Sequence, residues 1–245
     1  MSAPTRILDR IRAAAPTISV GILSADLMAL GTDLARLQKA GVVLLHFDVM
    51  DGCFCPMLTV GAPFVKAIRT DMLKDVHLMV DQPLDKLPAF VAAGADILTI
   101  HFEASGHPQR LLQAMENLAR VETGLVRGIA LNPSTPIPAI EALLNEVDMI
   151  TLLAVNPGVS GQTFLKSTEQ RMEQLIQLVR TCGRNILTVI DGGVTKTNIA
   201  DISRLGADII VTGSAVFDGQ SVEDNLRHIL RAVAKRPTAE NGEPA

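Results

Sequence analysis

Polar residues that can bind a cation or move a proton recur at the ends of apolar runs in this chain. In LLHFDVMDG (44–52) an apolar run turns polar at His46, Asp48 and Asp51. Side chains alternate in a strand, so His46, Asp48 and Met50 share one face and Phe47 and Val49 the other. An imidazole and a carboxylate on one buried face are costly unless something pairs them, and a metal ion is one such partner. His77 interrupts a second run, VHLMV (76–80), His101 and Glu103 close a third, and Asn156 and Asp191 end two more. A single buried histidine is more often a hydrogen-bonded core residue. A set at matching depth, with carboxylates, suits a divalent transition metal such as zinc, iron, manganese or cobalt. His107 and His228 fall on a loop and a surface helix and are expected to be inert.

A second group is glycine-rich: NPGVSGQTF (156–164), DGGV (191–194) and TGSAVF (212–217). Glycine lets backbone N–H groups approach an anion, and a following helix N-terminus favours negative charge. Three such turns after successive strands describe a phosphate cradle. No GxGxxG or GxxxxGKS follows the first strand, so nucleotide binding is not indicated.

The elements that must hold these residues alternate along the chain. Strands are expected over 18–23, 42–49, 76–80, 95–102, 126–132, 148–156, 186–191 and 207–213. A helix is expected after each, over 25–40, 62–70, 84–93, 108–121, 137–145, 165–181, 196–205 and 222–234. Near-continuous apolar strands indicate a parallel sheet covered by helices. Eight such units in about 220 residues match a single-domain (β/α)8 TIM barrel, whose strand C-termini meet at one mouth; an open doubly wound sheet is the alternative. None of the eight expected strands contains a lysine, which argues against a Schiff-base aldolase. Residues 4–14 have the spacing of an extra amphipathic helix. The expected organisation is an N-terminal helical extension (1–16), the catalytic barrel (17–235) and a short disordered C-terminal tail (236–245).

Composition narrows the function. The chain has 245 residues and a net charge of −4 with no basic block, which argues against nucleic-acid binding. No apolar run reaches membrane-spanning length and no signal-peptide core opens the chain, so a cytoplasmic location is expected. Three cysteines without CxxC spacing suit reduced thiols.

The motifs ILSAD (22–26), HFDVMDG (46–52), HLMV (77–80), VNPGVSGQ (155–162), DGGV (191–194) and GSAVF (213–217) together resemble the ribulose-phosphate 3-epimerase family, from about Ile18 to Val233. The resemblance implies one divalent metal ion (Zn, Fe, Mn or Co) on His46, Asp48, His77 and Asp191. It makes Asp48 and Asp191 the catalytic proton-transfer pair. It assigns Gly158, Val159, Ser160, Gly161, Gly192, Gly193, Gly213 and Ser214 to the phosphate, counts His77 among the substrate contacts, and places Met50 and Met79 beside the substrate. The implied reaction is 3-epimerisation of a ketose phosphate, D-ribulose 5-phosphate to D-xylulose 5-phosphate, through a metal-stabilised cis-enediolate. Val20 and Gly21 stand where the family has Pro-Ser, and Cys55 and Met57 alter its FVPN. D-allulose 6-phosphate and a tetrulose phosphate therefore remain alternative substrates, and a non-catalytic sugar-phosphate-binding relative is a further alternative. Homo-oligomerisation through exposed helices or loops is left open.

Overall fold

The computed structural model describes residues 6–121, 124–159 and 161–234. Eight parallel strands close into a barrel in sequence order: β1 (Thr17–Gly21), β2 (Leu44–Met50), β3 (Leu73–Met79), β4 (Ile97–His101), β5 (Val126–Leu131), β6 (Met149–Leu153), β7 (Leu187–Asp191) and β8 (Ile209–Thr212). The surrounding helices are α2 (Leu30–Lys39), α3 (Ala62–Ala67), α4 (Leu87–Ala92), α5 (Pro108–Val121), α6 (Ser167–Cys182), α7 (Ile199–Arg204) and α8 (Val222–Ala234), after an N-terminal α1 (Ile7–Ala14). The single (β/α)8 barrel read from the alternation is the fold. Residues 236–245, where a disordered tail is expected, lie outside the described residues.

Alternation along each strand produces two cores. The outward residues of β2, Leu45, Phe47 and Val49, join the large layer beneath the helices. The inward ones begin with Leu44, which packs in the lumen with Leu73, Ile97, Val126, Met149, Leu187 and Ile209. Ile11 of α1 joins that group, with Ile7 and Leu8 packed beside it. The N-terminal helix therefore plugs the barrel at the starting ends of the strands. Arg10 and Arg12 fasten it to the carbonyls of Asp71 and Asn185. Above this apolar floor the lumen turns polar, with Ser19, Asp75, Thr99 and Thr151 buried within it. Gly128 must lack a side chain there, because a Cβ would lie 2.2 Å from Thr99 Oγ1.

The Ala-Gly-Ala-Asp (93–96) and Leu-Gly-Ala-Asp (205–208) stretches are turns between a helix and the next strand. Their aspartates also clamp neighbouring strands: Asp96 accepts from Lys74 N, and Asp208 from Thr188 N, each at 2.8 Å. Asp148 does the same for Arg127 N.

Several boundaries differ from expectation. The helix expected from Ala25 starts at Leu30, because Asp26 Oδ1 accepts from Met28 N and holds a turn instead. Leu27, counted in the helical pattern, is half exposed outside it. The helix expected over 137–145 is a 3-10 stretch, Ile137–Leu143. Pro138 is its second residue, where an N–H has no partner within a helix of either kind, so the proline suits the start of the stretch. β3 starts at Leu73 and so contains Lys74, against the expectation of lysine-free strands. That side chain points away from the lumen, with Nζ donating to Val65 O and Ala93 O, so it supplies no amine at the mouth. β6 ends at Leu153, which leaves Asn156 in the following loop.

Candidate active site

The β2–β3 register makes the first half of the site. Seven residues pair in parallel, setting Asp48 beside His77 and His46 beside Asp75. Asp191, the last residue of β7, reaches the same place from across the lumen. One ligand atom from each of His46, Asp48, His77 and Asp191 lies within 4.8 Å of the others. His46 Nε2 is 3.3 Å from Asp48 Oδ1 and 3.7 Å from Asp191 Oδ2. His77 Nδ1 is 3.5 Å and 3.3 Å from the same two oxygens.

Each imidazole uses its other nitrogen to hold position. His46 Nδ1 is 2.7 Å from Asp75 Oδ2, which also accepts from Ser19 Oγ at 2.8 Å. His77 Nε2 is 2.9 Å from His101 Nε2. The two nitrogens turned inward, His46 Nε2 and His77 Nδ1, are buried without a hydrogen-bond partner. Orphaned buried imidazole nitrogens are expensive. Two of them converging with two carboxylates form the donor set of a divalent cation. The four residues therefore could bind a metal, and the orphaned nitrogens are the observation that fits one.

The electrostatics agree. Burial opposes charge on His46, but Asp75 and Asp48 outweigh it and hold the imidazole well above its ordinary 6.5. Burial likewise opposes charge on His77 and loses to Asp191 and Asp48, so its value is raised too. Asp48 is pushed up by burial, yet His46 and His77 hold it well below the usual carboxylate range. The carboxylates thus demand positive charge at this point, from protons or from a cation. His101 is the exception. Burial pushes it down to about 4, with Glu103 offsetting only part.

A cleft of about 300 Å³ opens above these residues. The imidazoles lie beneath it, 3% and 1% exposed, while Asp48 and Asp191 reach its floor at 27% and 15%. Met50, Met79 and Leu153 line its apolar side. Gly158, Val159, Gly161, Gly192, Gly193, Gly213 and Ser214 form a glycine-rich part of its lining. Ser160, expected among them, lies outside the described residues. Among the described residues, no lysine or arginine lines the cleft, so an anion there would depend on backbone N–H groups and hydroxyls. After β8, Gly213 O accepts from Val216 N and Phe217 N, which starts a helical turn whose first N–H groups have no partner within it. Gly193 has φ 67°, and a Cβ there would come within 2.6 Å of Phe164 N. This glycine is needed for packing between loops.

Residues read from the sequence as possible mouth groups separate into roles by position. Asp51 is structural: its carboxylate accepts from Cys53 N, Phe54 N and Asp81 N around the turn at Gly52. His101 and Glu103 stand behind His77. Asn156 lines the cleft, its N–H donating to Gln162 Oε1. His107 lies on its loop, and His228 Nε2 meets Lys196 O on the surface. The residue missed outright is Asp75. Its signal was available, since Asp75, Val76, His77 repeats in reverse the alternation of His46, Phe47, Asp48; reading β3 only from Val76 hid it. Ser24, Gln162 and Thr195 also line the cleft unannounced.

Fold and site together define a (β/α)8 barrel with a two-histidine, two-aspartate group that could bind a metal under a glycine-rich cleft. Residues 17–217 match the model of the Ribulose-phosphate 3 epimerase family, and the chain belongs to that family. It is 40% identical to "Ribulose-phosphate 3-epimerase" of Bacillus subtilis over 83% of this chain and 93% of that one. The Escherichia coli K12 protein of the same name is also 40% identical, over 89% and 97%. "Ribulose-5-phosphate-3-epimerase, chloroplastic" of Arabidopsis thaliana is 37% identical over 95% and 82%. Among solved structures, 3-hexulose-6-phosphate synthase from Salmonella typhimurium superposes with a TM-score of 0.61 at 17% identity, covering 89% of this chain and 97% of that one. 3-Keto-L-gulonate-6-phosphate decarboxylase from Vibrio cholerae gives 0.65 at 15%, over 90% and 98%. At such identities these two speak for the fold alone. Among the described residues, no helix is long and apolar enough to cross a membrane.

Proposed function

We propose that this protein is a metal-dependent isomerase interconverting D-ribulose 5-phosphate and D-xylulose 5-phosphate by inversion at carbon 3. The observation that carries the reading is the pair Asp48 and Asp191, which reach the cleft floor from opposite sides of the barrel over two imidazoles with orphaned inward nitrogens. Carbon 3 is acidic because it adjoins a carbonyl, and its deprotonation spreads charge onto oxygen as a cis-enediolate. Inversion needs one base on each face, since a lone base returns the proton to the side it left. One of Asp48 and Asp191 takes the carbon 3 proton, and the other delivers a proton to the opposite face. A divalent ion, zinc, iron, manganese or cobalt, held by His46, Asp48, His77 and Asp191, would supply Lewis-acid stabilisation of the negative charge.

The glycine-walled side of the cleft suits the phosphate, with Gly158, Val159, Ser160, Gly161, Gly192, Gly193, Gly213 and Ser214 assigned to it. Holding the phosphate there provides binding energy remote from the reacting carbon. Met50 and Met79 then cover the apolar side and help exclude water from the proton-transfer step. Similarity at about 40% identity to proteins named ribulose-phosphate 3-epimerase supports the pentulose as substrate.

Incubating the metal-replete protein with sugar phosphates in deuterated water and following the carbon 3 proton by NMR tests this. Exchange with inversion is expected for D-ribulose 5-phosphate, with a higher kcat/KM than for D-allulose 6-phosphate or a tetrulose phosphate. Faster turnover of either rival would reassign the substrate. No exchange with any of the three would make the protein a binder and sink the enzymatic reading.

A further inference from the structure

For His77 to bind a cation through Nδ1, that atom must keep its lone pair, and a neutral imidazole carries its one proton on one nitrogen or the other. His77 Nε2 faces His101 Nε2 at 2.9 Å. Two nitrogens that close need one N–H and one lone pair between them. The far side of His101 decides which is which. Its Nδ1 is 3.1 Å from Glu103 Oε2, and an ionised carboxylate can only accept. A neutral His101 therefore holds its proton on Nδ1, presents a lone pair at Nε2, and receives the Nε2–H of His77. His77 Nδ1 is left bare, pointing at Asp48 and Asp191 without a hydrogen-bond partner.

We propose that His101 and Glu103 are positioning residues that fix the tautomer of His77, so that its bare Nδ1 is preset toward the metal; this rests on the metal-binding reading above. The surroundings make the chain of bonds directional. Glu103 Oε1 accepts from Asn132 N at 2.8 Å and from the Thr135 hydroxyl. The carbonyls of those two residues are gripped by the buried guanidinium of Arg171 at 2.9 and 3.0 Å. His101 is fully buried, with the Phe54 ring 4.6 Å away, centroid to centroid, so solvent does not compete for its nitrogens. His46 gets the same result from a single carboxylate, Asp75. His77 gets it through an imidazole and then a carboxylate.

Glu103→Gln reverses this polarity at almost no cost in shape. The N–H of Asn132 can only donate, so the amide oxygen takes the Oε1 place and the NH2 faces His101 Nδ1. His101 must then accept there, carry its proton on Nε2 and donate to His77, whose own proton moves to Nδ1 and into the metal site. Zinc affinity, measured by competition with a chromophoric chelator, is expected to fall about 10- to 100-fold while the far-UV spectrum is unchanged. Independently of any variant, 15N NMR of metal-free wild-type protein above the imidazole titration range should find the His77 proton on Nε2. Unchanged zinc affinity in a folded E103Q protein would overturn the proposal, as would a wild-type His77 protonated on Nδ1. Wild-type protein that binds no zinc would overturn the metal reading and this one with it, which separates the two failures. If E103Q does not fold, the wild-type spectrum alone decides.

Discussion

In the proposed reaction Asp48 and Asp191 would each be both cation ligand and proton-transfer group, two tasks that pull against each other. His46 and His77 hold the Asp48 carboxylate ionised, which suits a base waiting for a proton and makes it a weak one. The structure sets the compromise by exposure: both carboxylates touch the cleft, and the imidazoles stay below it. Replacing either carboxylate by its amide keeps the shape and one oxygen ligand but removes the base. Asp48→Asn and Asp191→Asn are each expected to lower kcat by at least about 10²-fold in metal-replete protein. An activity within tenfold of wild type would remove that residue from proton transfer. These residues could be read from the sequence because a polar group on the inward face of an apolar strand demands a partner, and period-two alternation says which face it is on. Asp75 could not be read as easily. It follows Asp71 and Lys74 at a strand start, where charged residues ordinarily mark a loop. Only strand register turns it from a loop carboxylate into the partner of His46.

At the scale of elements, the alternation of strands and helices was plain in the sequence because each strand is an apolar run and each helix an amphipathic one. What could not be read was where local side-chain chemistry overrules periodicity. Asp26 stops α2 from starting at Ala25, and Ile137–Leu143 winds as a 3-10 rather than an α-helix. Seven residues are too few for spacing to distinguish the two helix types. The role of α1 was also hidden, since an amphipathic helix shows that it packs but not where. Its Ile11 closes the lumen floor against Leu44, Leu73, Ile97 and Leu187, at the opposite end of β2 and β3 from the cleft. Ile11→Ala should therefore separate stability from chemistry. It is expected to cost about 2–5 kcal/mol by urea denaturation, with kcat and KM unchanged while the protein stays folded. A loss below 0.5 kcal/mol, on the order of a surface substitution, would mean that α1 merely rests on the barrel.

Across the whole molecule, the two-histidine, two-aspartate group spans the lumen. β2 and β3 are neighbours, but β7 is hydrogen-bonded only to β6 and β8, so a cation on His46, Asp48, His77 and Asp191 would join opposite sides of the barrel. Anything that binds only the folded state stabilises it by mass action, so stripping the metal with a chelator should lower Tm and restoring it should recover the loss. The size of that loss should depend on pH, with a sign fixed by the imidazoles. In metal-free protein the carboxylates raise His46 and His77 above the ordinary 6.5. Their protonated forms therefore contribute stability that is fully present below that value and fades as pH rises through the folded-state values. Binding a cation requires those same nitrogens bare, so it strengthens as pH rises. The gap between loaded and stripped protein is set by that competition between proton and cation, so it widens as pH rises. The Tm difference is expected to be small near about pH 5.5 and to grow steadily toward about pH 8.5. A difference that is constant over this range, or that shrinks as pH rises, would mean that the ion is not held by His46 and His77.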